Sequence, residues 1–125
     1  MKVLADTSVW VTHFRQPIPD LTGLLHGGSV LTHPMVIAEL ACGTPPDRTR
    51  TLKDLGLLQR SHEATLTEVL VLIDRKQLFG RGCGLVDMVL LASTLMTPGA
   101  VLWTLDKRLA ELAEPLGVLH RPPMH

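Results

Sequence analysis

The spacing of hydrophobic and polar positions changes several times along the chain, and the changes outline alternating strands and helices. Residues 2–5 read as a short strand ending at Asp6, followed by a helix from about Ser8 and a second from about Asp20. A brief strand is expected near Val30. Pro34 suits the first turn of a helix that carries Glu39 and stops at Gly43, where glycine can turn left-handed. Asp47 or Thr49 then opens a basic helix. Thr65 and Glu68 have capping-box spacing ahead of an apolar run, so the next helix is expected over 66–77. Beyond the glycine-rich segment 80–84, residues 85–96 have helical length, and 100–104 are too short for anything but a strand leading to Asp106. A short helix over 107–113 and an edge strand at 118–119 complete the pattern. Such alternation implies parallel strands with right-handed crossovers: a single α/β domain over 1–125, its mostly parallel central sheet flanked by helices as an α/β/α sandwich.

Four acids break this pattern. Asp6 is the only charged residue between Lys2 and Arg15, Glu39 interrupts an apolar run from Met35 to Cys42, and Asp87 is the only charge between Gly82 and Leu105. Asp106 closes another apolar stretch. An ionised carboxylate in apolar surroundings needs a hydrogen bond, an opposite charge or a metal ion. In open α/β sheets, functional groups collect beyond the carboxyl ends of the strands, where Asp6 and Asp106 are expected. If the helices bearing Glu39 and Asp87 start at that edge, all four acids converge. Their mutual repulsion would then be relieved by a divalent cation, and an all-oxygen donor set selects magnesium or manganese over zinc. Asp106 has a second reading as the N-cap of the helix that follows it. Thr7, Ser8 and Thr104 flank the acids and can orient them by hydrogen bonds, with Ser8 equally readable as the cap of its own helix.

Composition narrows the function classes. Twelve Lys and Arg balance twelve Asp and Glu, so no net positive field advertises a nucleic-acid partner, although Arg75, Lys76, Arg81, Lys107 and Arg108 cluster near the isolated acids. A hydrophobic fraction of 46% and a mean hydropathy of +0.24 argue for a folded globule, and the apolar runs are too short or too interrupted to span a membrane. A cytoplasmic protein without membrane association is expected. Cys42 and Cys83 form no CxxC and read as small core residues. His13, His33 and His120 read as surface or internally satisfied residues.

Asp6-Thr-Ser-Val-Trp10, Val36-Ile-Ala-Glu-Leu40, the segment from Gly80 to Asp87, and Leu102-Trp-Thr-Leu-Asp-Lys-Arg-Leu109 together resemble PIN domains, most closely the VapC-type ribonuclease toxins of toxin–antitoxin modules. The resemblance spans nearly the whole chain. It implies a magnesium- or manganese-dependent endoribonuclease, with Asp6, Glu39 and Asp87 as the principal acidic metal site and Asp106 as its fourth acid. It also implies an RNA substrate, a cognate antitoxin whose C-terminal segment covers the acids, and a homodimer. Leu85 stands where many relatives carry an aromatic residue. Two other classes fit less well. A receiver domain would end its first strand in an acidic pair, whereas Thr7 follows Asp6; a catalytically silent partner-binding module would not need the four acids.

Overall fold

The computed structural model describes residues 1–123. The chain runs β1 (Lys2–Ala5), α1 (Thr7–Arg15), α2 (Pro19–His26), β2 (Val30–Thr32), α3 (Pro34–Ala41), α4 (Arg48–Leu55), β3 (Gln59–Arg60), α5 (Leu66–Lys76), α6 (Leu85–Leu95), β4 (Ala100–Trp103) and α7 (Lys107–Ala113). The strands form one sheet in the order β3-β2-β1-β4, and every pairing is parallel. Val3, Leu4 and Ala5 of the central strand are fully buried, as expected for a strand covered on both faces. One helical group joins α1, α3 and α4, with α1 against β1; a second joins α5 and α6, with α6 against β4. The sandwich expected from the sequence is therefore the observed fold.

Chain order and spatial order diverge at one place. From β1 the chain moves through β2 to β3 on one side, then crosses back to place β4 on the other side of β1. The crevice between β1 and β4 is the topological switch point, where such sheets hold their functional groups. Ala5 pairs with Trp103 at the ends of these strands, so Asp6 and Thr104 emerge side by side.

Several local expectations change. The helix bearing Glu39 ends at Ala41, and Gly43 does not take a positive φ; Cys42 closes the helix in right-handed geometry, donating its N–H to Ala38. Strand β3 is a polar, exposed two-residue edge that no hydrophobic pattern marks. The edge strand at 118–119 reduces to one bridge between Leu102 and Leu119, held by Leu102 N–H to the Val118 carbonyl at 2.6 Å. Cys42 is exposed and not the core residue expected, while Cys83 is half-buried against the edge of the core. The capping box of Thr65 and Glu68 and the full extent of α7 are as read. No helix among the described residues is long and apolar enough to cross a membrane.

Candidate active site

Asp6 leaves β1 with its N–H donated to the Trp103 carbonyl at 3.0 Å, which ties it to β4. Its side chain is 5% exposed. Oδ1 caps α1 by accepting the Val9 N–H at 3.1 Å and also accepts the Ser8 hydroxyl at 2.5 Å. The Ser8 oxygen in turn accepts the Leu105 N–H at 3.0 Å, linking Asp6 to the loop after β4. Asp6, not Ser8, is thus the helix cap, and Ser8 is a strut between the two strand ends. Burial raises the Asp6 pKa, countered by the hydroxyls of Ser8 and Thr104 and by backbone N–H groups.

Thr104 is buried and accepts the Asp106 N–H at 3.0 Å. Its hydroxyl stands between the Asp6 carboxylate and the Asp106 backbone. Asp106 caps α7, its Oδ1 accepting N–H groups from Arg108 at 2.8 Å and Leu109 at 3.3 Å. Asp87 lies in the first turn of α6, where a carboxylate favours the helix dipole, and accepts the Gly84 N–H at 3.4 Å. Glu39 lies in the C-terminal half of α3 and accepts the Thr7 hydroxyl at 2.6 Å.

The four acids share one electrostatic neighbourhood. The Asp87 pKa is raised first by burial, and then by the negative charges of Asp106, Asp6 and Glu39, against the Gly84 N–H that lowers it. No ion pair among the described residues involves any of the four. Nor do any three His, Cys, Asp or Glu side chains among those residues form a closed metal-coordinating group. One oxygen of each carboxylate is already engaged, those of Asp6, Asp87 and Asp106 by the starts of their own helices and that of Glu39 by Thr7 of α1. The second oxygens of Glu39, Asp87 and Asp106 have no hydrogen-bond partner among the described residues. An uncompensated, all-oxygen donor set suits a hard divalent cation.

Other parts of the site were not legible as such. Beside Glu39, a groove of about 390 Å³ runs between α1 and α3, with Val11, Phe14 and Pro45 among its lining. Cys83 lies within electrostatic reach of Asp87, Asp106, Arg108 and Arg81, which places two arginines on the flank of the acids. His33 is the buried N-cap of α3: its Nδ1 accepts the Met35 N–H at 3.0 Å and its Nε2 meets Ser93 Oγ at 3.1 Å. The proline after His33 marked the start of α3, but nothing in the sequence announced the partner on α6.

A parallel four-stranded sandwich with carboxylates gathered at its switch point places the chain in the PIN-like class of α/β domains. No protein-family model matches the chain. Ribonuclease VapC32 from two strains of Mycobacterium tuberculosis is 43% identical over 116 residues, which span 93% of this chain and 94% of the relative. The chain belongs to the VapC family of PIN-domain ribonuclease toxins.

Proposed function

We propose that the protein is a divalent-metal-dependent endoribonuclease and the toxin of a cytoplasmic toxin–antitoxin module, with its whole length acting as one nuclease domain. The observation that carries this reading is the tie between the acid-bearing ends of β1 and β4, where Asp6 donates its N–H to Trp103, Ser8 spans from Asp6 to Leu105 and Thr104 accepts the Asp106 N–H, with no ion pair to offset these acids among the described residues. Asp6, Glu39, Asp87 and Asp106 would hold Mg²⁺ or Mn²⁺. An ion held there would supply positive charge to polarise the scissile phosphate and to favour ionisation of water. Ser8 and Thr104 fix the Asp6 carboxylate through their hydroxyls, so little reorganisation is left for the reaction. A carboxylate oxygen without a protein partner, on Asp87 or Glu39, orients the attacking water and takes its proton.

The groove beside Glu39 suits an apolar antitoxin segment ending in a basic side chain, which would compensate the acids and block the site. Exposed Leu66, Leu70 and Val71 on α5 suit burial in a homodimer. The test is incubation of antitoxin-free protein with structured RNAs in magnesium, in manganese and in chelator, beside Asp6→Asn. Cutting that survives chelation, or an active Asp6→Asn protein, would sink the mechanism. Stable RNA in every lane would favour a partner-binding module with a silent site.

A further inference from the structure

Arg108 is held in an unusual way. It is exposed at the start of α7, yet the backbone of Gly82 packs directly beneath it. A Cβ at residue 82 would lie 2.9 Å from Arg108 Cδ, 3.1 Å from Nη1 and 3.3 Å from Nε. The stem and the guanidinium therefore both rest on a residue without a side chain. Gly82 has φ +83, so the loop also adopts a conformation that other residues resist. On the other side, the Arg108 N–H is held by the Asp106 carboxylate at 2.8 Å.

This seat does not serve an internal ion pair. The arginines paired among the described residues are Arg50, Arg60 and Arg121, and no carboxylate of the acidic site takes Arg108. Nor does it serve the helix, because Lys107 and Arg108 begin α7 at the dipole end that disfavours cations. A cation positioned at that expense beside an acidic site fits a ligand that carries its own negative charge. Guanidinium groups bind phosphate oxygens in pairs, and their affinity for a polyanion includes counterion release.

We infer that Arg108, seated on the bare backbone of Gly82, binds an RNA backbone phosphate at the edge of the acidic site. The inference rests on the ribonuclease reading and adds a substrate-holding residue to it. It also gives the glycine-rich segment before α6 a purpose, since Gly82 clears the space in which Arg108 lies. Replacing Gly82 should displace the arginine without removing its charge.

The test measures binding separately from cleavage. In an Asp6→Asn background, the affinity for a fluorescently labelled RNA stem–loop is read by anisotropy in magnesium, across a salt series. Arg108→Ala is expected to weaken binding about tenfold or more, the usual worth of a charge-assisted hydrogen bond, with partial rescue by Arg108→Lys. The slope of log affinity against log salt should fall by about 0.7 for one lost single-strand phosphate contact. Gly82→Ala should weaken binding comparably, and Gly82→Ala with Arg108→Ala should be no worse than Arg108→Ala alone. Gly80→Ala is the control for backbone strain, since Gly80 has φ +70 and no atom within 4 Å of its would-be Cβ; it should leave binding unchanged. Binding that tolerates Arg108→Ala within about twofold, or losses that multiply in the double variant, would overturn the assignment of Arg108. Failure of the Asp6→Asn parent to bind RNA, with no cutting by the wild type, would instead overturn the ribonuclease reading beneath it.

Discussion

Ser93→Ala is expected to destabilise the protein by far more than the loss of one oxygen from a helix suggests. Ser93 is fully buried on α6, and its Oγ accepts the Ala64 N–H at 3.0 Å. The same oxygen meets His33 Nε2 at 3.1 Å. Because His33 Nδ1 already accepts the Met35 N–H, the neutral imidazole carries its proton on Nε2 and donates it to Ser93. Alanine therefore strands two donors, one on a buried ring and one on a half-buried backbone. Each stranded donor costs about 1–3 kcal/mol, offset by a few tenths from the better helix propensity of alanine. The expected net loss is about 3 kcal/mol, read as a lower urea midpoint at unchanged m-value. Hydrogen exchange should quicken in the first turn of α3, since the freed ring is that helix's cap. A loss below about 1 kcal/mol would refute the claim that Ser93 satisfies both donors. The histidine adds a pH signature. Burial lowers the His33 pKa below its ordinary 6.5, so the stability it contributes is complete above 6.5 and is lost as pH falls through that value towards the folded pKa. Asn at residue 33 can cap without titrating, and His33→Asn should remove this component of the acid sensitivity.

Three further outcomes follow from the structure. Asp6→Asn keeps an N-cap for α1 and removes a buried charge near Asp87, so it should melt at a higher temperature than wild type in chelator while losing any stabilisation by magnesium. That gap should narrow as pH falls through the raised Asp6 pKa, because the wild-type carboxyl then becomes neutral too. Asp106→Asn and Asp106→Ala should separate its two occupations: both reduce RNA cleavage if its charge acts in catalysis, but only the alanine should also lose about 1 kcal/mol in urea unfolding. His120→Ala removes an Nε2 contact of 3.0 Å to Asp20 and the packing of its ring on Trp103, and should cost about 2 kcal/mol with no change in metal dependence of RNA cleavage.

The features legible in the sequence were those with a local physical cause. Pro34 and the Thr65 and Glu68 pair each act within a turn or two of chain, and each marked its place. Strand β3 escaped because both of its residues are polar and exposed; its parallel pairing with β2 places it at the sheet edge, not an apolar face. Gly43 departs from expectation because the helix already closes at Cys42 in right-handed geometry, which leaves no left-handed position to fill. The contact of Gly82 with Arg108 and the partnership of His33 with Ser93 join distant segments, and no periodicity encodes them. The Ser8 strut was half legible: its proximity to Asp6 was apparent, but its hold on Leu105 depends on β1 and β4 being neighbours.

Three of the four acids also start helices: Asp6 caps α1, Asp106 caps α7, and Asp87 stands in the first turn of α6 with its own bond to the Gly84 N–H. Glu39 has no such structural duty, lying well inside α3. The two kinds of position should drift differently in descendants that abandon RNA cleavage. Asn or Ser should replace the acids at 6 and 106, because the helices still need an acceptor there, while residue 39 should wander freely. Loss of activity in this lineage would thus be read earliest at Glu39, and the caps would preserve the outline of the site after its chemistry had gone.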